Sequence, residues 1–214
     1  MKNLLTIFLI FFINNSYAKS ETYPNDIFGI ELFKHISNYA DINKGKLLED
    51  IPNTYTYSDE DLVNIKRNPL FDYYYIRTNT DFIVHNITSN KSYVERIENF
   101  QNNCSIDKSN LIGEFSIYFS IKISDFNSEY YEDEIIKAIY GDTSFDFVNQ
   151  NNQFQISIYC GYFPDGNEIY SVLFCSLVSR EYLLNHVETR WKKIEPFDNN
   201  YIKFYANKMN SAEL

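Results

Sequence analysis

The sequence predicts an α+β fold, a mostly antiparallel sheet built from two β-hairpins with one long helix and shorter helices packed on one face. Three observations predict it. Phe71–Arg77 and Phe82–Ser89 are β-rich runs joined by Thr78-Asn79-Thr80-Asp81. Gln153–Tyr162 alternates apolar and polar residues, and Asp165-Gly166 turns it toward the apolar run Glu168–Val178. Between the hairpins, Ser92 and Glu95 have the spacing of a capping box, and Val94, Ile97, Cys104, Leu111, Phe115 and Phe119 follow at helical intervals. One helix from 93 to about 120 is the expectation.

The chain begins with an export signature. Lys2 is basic, Leu4–Ile13 is apolar apart from Thr6, and Ser16-Tyr17-Ala18 supplies small residues for cleavage after Ala18. A membrane-spanning helix needs about 20 apolar residues, and Asn14-Asn15 end this run early. Position 19 is Lys19, so a lipid-anchor cysteine is absent there. The expectation is a cleaved signal peptide at 1–18 and a soluble mature chain, periplasmic or extracellular, with no membrane span.

The remaining elements follow in order. Asp26–Leu32 reads as a short strand containing Gly29, and Phe33–Tyr39 as a short helix. Residues 41–69 are polar loop with one strand near Thr54–Tyr57. Glu132–Tyr140 reads as a helix, with Ile135, Ile136 and Ile139 on one side and Gly141 as its stop. Phe145–Val148 is a further strand. Leu183, Leu184, Val187 and Trp191 suit a final amphipathic helix capped by Ser179. A single domain therefore spans 19–196, followed by a loosely held polar tail at 197–214.

Charge narrows the partners. Loss of residues 1–18 removes one of 19 basic residues and none of 29 acidic ones, moving the net charge from −10 to −11. Nucleic acid and anionic membrane surfaces are poor partners for such a chain. Aromatics make up 18% of residues, but Asn, Ile, Lys, Tyr and Phe are abundant together, as A/T-rich codons dictate. The rings by themselves do not define a sugar-binding surface.

Catalytic and metal motifs are missing. His35, His85 and His186 are scattered, without a pair at zinc-ligand spacing. Asp125–Glu129 resembles the opening of a calcium loop, but that loop's sixth and twelfth positions here hold Tyr130 and Ile136 instead of Gly and Glu. Asp125–Glu129 reads instead as a solvated acidic turn before a helix, and Glu129–Glu134 as a contiguous exposed acidic run that does not supply a glycosidase's two separated carboxylates. No serine sits in a nucleophile elbow and no glycine-rich phosphate loop exists, so no cofactor is expected. His186–Trp191 mixes reactive side chains, yet Val187 with Trp191 and Glu188 with Lys192 fit an ordinary helix face. Asn86, Asn90 and Asn103 begin glycosylation tripeptides, which would matter only in a eukaryotic secreted protein.

Cysteine arithmetic follows from the second hairpin. With the turn centred on Asp165-Gly166, Cys160 faces Ser171 and Cys175 faces Ile156. The two thiols are then four residues out of register, roughly 13 Å apart, beyond disulfide reach. Either Cys104 bonds one of them or no bond forms, with Cys104–Cys160 the preferred pairing. The remaining thiol reads as a small buried hydrophobe.

At Ile27–Leu32 with its short helix, and at the Cys104 and Cys160 segments, the chain resembles short, uncharacterised exported proteins of A/T-rich bacteria. That resemblance implies no catalytic residue. It is compatible with one disulfide joining the long helix to the sheet, Cys175 being extra. The function expected is a non-catalytic binding or interaction module of the periplasm, with a protein or small-molecule partner. The alternative is a hydrolase without a recognisable motif.

Overall fold

Residues 23–49, 53–133, 136–149, 152–185 and 192–211 are described by the structure, a computed structural model. The signal-peptide segment 1–18, Glu134, Ile135, and His186 to Trp191 lie outside the described residues. So does any test of cleavage after Ala18.

Two short strands, β1 (Asp26–Ile27) and β2 (Ile30–Glu31), form a tight hairpin. Phe28 and Gly29 turn it with φ of 57° and 73°, the left-handed region that Gly29 enters without strain. The segment after it forms only a 3-10 turn at Ile36–Asn38 rather than a fuller helix. Four strands then run as a meander: β3 (Lys46–Leu47), β4 (Tyr55–Ser58), β5 (Tyr73–Thr78) and β6 (Val84–Arg96). Helix α1 (Asn103–Tyr118) follows. A second meander comprises β7 (Asn127–Asp133), β8 (Ala138–Asn149), β9 (Asn152–Asp165) and β10 (Glu168–Ser179). The described chain closes with α2 (Arg180–Asn185), β11 (Lys192–Ile194) and α3 (Asn199–Ser211).

The fold-class expectation needs correction. Among the described residues the long strands form one nine-stranded antiparallel sheet, ordered β11-β7-β8-β9-β10-β6-β5-β4-β3, with three α-helices. The molecule is therefore mostly β, and its hairpins are parts of one sheet rather than two units. The two meanders join where β6 pairs with β10, from Asn86↔Val178 to Arg96↔Glu168.

The predicted long helix starts later than expected, at Asn103, and the predicted helix at Glu132–Tyr140 is strand instead. Residues 92–96 extend β6, because Tyr93 and Lys91 find register partners in Ser171 and Leu173. The Glu132–Tyr140 segment is the end of β7, a turn and the start of β8, with Asp133 paired to Ala138. Ile139 is buried on the core face while Ile136 is exposed at the turn. Residues 199–211, placed by the sequence in a polar tail, form α3, which buries Ile202, Tyr205 and Ala206.

Alternation along the strands assigns the two faces. Ile76, Ile87, Phe147, Phe154, Ile156, Ile158, Leu173 and Leu177 share the core face, against which α1 packs. Asp107 of α1 locks onto β6 by accepting from Lys91 Nζ at 3.1 Å and Tyr93 Oη at 2.7 Å. The opposite face carries half-buried rings, including Tyr159 stacked on Phe174 at 4.6 Å.

Candidate functional site

The start of α1 gathers a connected set of polar groups around Asn102 and Glu95. Asn102 sits at φ 63°, and its Oδ1 caps the helix by accepting from Ser105 N at 3.1 Å. The same oxygen accepts from Tyr162 Oη of β9 at 2.9 Å, and Asn102 Nδ2 donates to Asn199 Oδ1 of α3 at 2.7 Å. One asparagine thus ties two helices to the sheet. Glu95 contributes from the end of β6, accepting from Gln101 N, Asn103 N and Asn103 Nδ2 at 3.0, 3.2 and 3.1 Å. The capping-box glutamate does serve a helix start, but one eight residues further on.

One turn beyond Cys104, Lys108 points into a cleft of about 360 Å³. Ser105, Tyr130, Gly141, Tyr162, Asn199 and Ile202 are among its lining residues. The Lys108 ammonium donates to the Gly141 carbonyl at 2.6 Å. Gly141 lies within β8 rather than stopping a helix, and a Cβ there would meet Tyr130 Cε1 at 3.4 Å and Lys108 Nζ at 3.8 Å. Burial pulls the Lys108 pKa down to about 8, with Asp142 opposing the shift. Burial raises the Asp142 carboxyl, while the Ser157 hydroxyl, donating at 2.6 Å, and Lys108 lower it. Phe197 closes one side, edge-to-face with Tyr130 at 5.0 Å and Tyr162 at 6.0 Å. A wider depression of about 780 Å³ at the turns of β6 and β9–β10 carries Arg96, Glu98, Asp165 and Glu168. Its charges of both signs are mostly exposed and not held by a buried network.

The cysteines lie beside the Lys108 cleft. Cys104 and Cys160 are brought to disulfide distance, with Cα atoms 6.0 Å apart, while Cys175 is free and buried. The hairpin register differs from expectation: Gly166-Asn167 is the turn, so Cys160 faces Leu173 and Cys175 faces Ile158. The two thiols are two residues out of register rather than four. Burial pushes the Cys175 thiol up, which disfavours the nucleophilic thiolate.

The histidines are not brought together with this cleft. His85 Nδ1 and Ser179 Oγ are 2.8 Å apart, but His85 is 9% and Ser179 1% exposed, so no substrate reaches the pair. Burial lowers the His85 pKa. His35 bonds Ser37 at 2.8 Å on the surface. Asp125 ends a 3-10 turn, and Asn127 and Glu129 lie in β7 instead of a calcium loop. Glu129 is bound by Lys193 and Tyr131 in the sheet, so the expected solvated turn is a strand. Among the described residues, no three His, Cys, Asp or Glu side chains form a group able to hold a metal ion. Asn86 is 5% exposed and bonded to Ser176, and Asn103 Nδ2 is held by Glu95. No described helix is long and apolar enough to cross a membrane.

Sequence reasoning did not find Lys108, Asn102, Tyr162 or Asn199. Only Asn102-Asn103, as a helix cap before Cys104, was there to find. Comparison with protein-family models, characterised proteins and solved structures found no match for this chain.

Proposed function

We propose that the protein is an exported, periplasmic binding module that holds a small polar ligand in the cleft between α1, the start of α3 and the β8–β9 face. The observation that supports this most strongly is the Asn102 junction. Its bonds to Ser105, Tyr162 and Asn199 hold the cleft walls in place before any ligand arrives, and preorganised polar groups in a concave site favour binding. Hydrolysis draws no comparable support, because the Ser179–His85 pair is sealed in the core. The disulfide-distance cysteine pair is consistent with export.

Ser105→Trp fills the cleft from the helix side and tests the reading. In a thermal-shift screen against a panel of small metabolites, at least one compound should raise the Tm of the natural chain and leave Ser105→Trp unmoved. A panel in which every stabilising compound acts equally on both proteins would remove the cleft as the binding site.

A further inference from the structure

We propose that the ligand of this cleft carries an oxyanion, a carboxylate or phosphate on a small apolar body, received by the Lys108 ammonium. This rests on the binding reading above and names its ligand chemistry.

An ammonium has three N–H donors and no acceptor. Lys108 uses one of them, on the Gly141 carbonyl. Among the described residues no carboxylate forms an ion pair with it. Asp142, the adjacent residue on β8, is felt electrostatically but projects from the opposite face of the sheet. A half-buried charge with donors unmet by the described protein is costly in a folded chain, and a bidentate oxyanion would satisfy the two remaining N–H groups.

The rest of the cleft lining is rich in donors. Ser105, Tyr130 and Asn199 line it too, each with a hydroxyl or amide able to donate. Among the described residues Asp198 is the one acidic lining residue. Its carboxylate is occupied as the cap of α3, accepting from Asn200 N at 3.0 Å, Tyr201 N at 2.9 Å and Asn200 Nδ2 at 3.4 Å. The Tyr130–Phe197 pair and Ile202 provide the apolar wall for the ligand's body.

Amide NMR titration of the full mature chain tests this with three probes of one shape: benzoate, phenyl phosphate and uncharged benzamide. Saturable shifts at 102–108, 141 and 197–202 are expected with benzoate or phenyl phosphate and not with benzamide. The tighter of the two anions identifies carboxylate or phosphate as the natural group. Lys108→Met should weaken that anion about tenfold, the worth of a hydrogen bond to a charged group. Lys108→Gln, which keeps a polar chain at the site, should also lose most of the affinity. Benzamide binding as tightly as benzoate, or either variant binding the anion unchanged, would overturn the oxyanion assignment while leaving the cleft itself intact. No shift at these amides with any probe would overturn it too, and the separate Ser105→Trp screen would still decide the binding reading.

Discussion

Lys108 holds its charge at a cost that can be read in the stability curve. Its pKa is 10.5 in an ordinary setting and about 8 here. Between those values the unfolded chain binds more protons than the folded one, so this residue makes stability rise with pH across that window. Urea unfolding at pH 7 and pH 9.5 should show the rise, and Lys108→Met should flatten it. At pH 7 the same variant should gain about 1–2 kcal/mol, because it removes a half-buried charge that has no ion-pair partner among the described residues while keeping the packed stem. A loss of stability at pH 7 would mean that Gly141 and Asp142 compensate the ammonium fully. Stabilisation by deleting a polar group is the signature of a residue kept for function. None of this was legible in the sequence around 108, where the lysine looks like any helix-surface residue. Its setting depends on the carbonyl of Gly141, 33 positions away.

Local signals and tertiary context disagree at specific elements. Ser92 and Glu95 form a genuine capping pattern, but cross-strand pairing with β10 holds 92–96 in β6, and Glu95 caps α1 from outside. The second hairpin and the β5–β6 hairpin were readable as strand pairs because alternation marks them, although the second turns at Gly166-Asn167 and so carries a different register. The 132–140 stretch was misread because Ile135, Ile136 and Ile139 match a helix period in sequence, whereas Asp133 pairs with Ala138 as strand. Helix α3 was passed over as a polar tail, although Asp198 heads it and Ile202, Tyr205 and Ala206 recur at helical spacing. Its docking is the element-scale prediction. Ile202 is 2% exposed and also lines the cleft. Ile202→Ala should cost about 2–4 kcal/mol in urea unfolding and weaken any cleft ligand, whereas a change at exposed Phe204 should do neither.

At the scale of the whole molecule, export and the cysteines make one joint prediction. Intact mass measurement on material recovered from the periplasm should give a chain starting at Lys19. Without reductant it should be lighter by two hydrogens, and Cys175 should resist alkylation until denaturant is added. A chain still beginning at Met1 would sink the export reading. The β6–β10 seam carries a consequence for synthesis. β6 offers 13 residues of backbone, and its second neighbour is made only when residues 168–179 emerge. Until then a growing chain carries a long open edge, the kind of template that recruits other chains. Closure across so many intervening residues is slow. A chain moved across a membrane before it folds never shows that edge to its neighbours in the cytosol, and it completes the seam only after its last long strand has arrived.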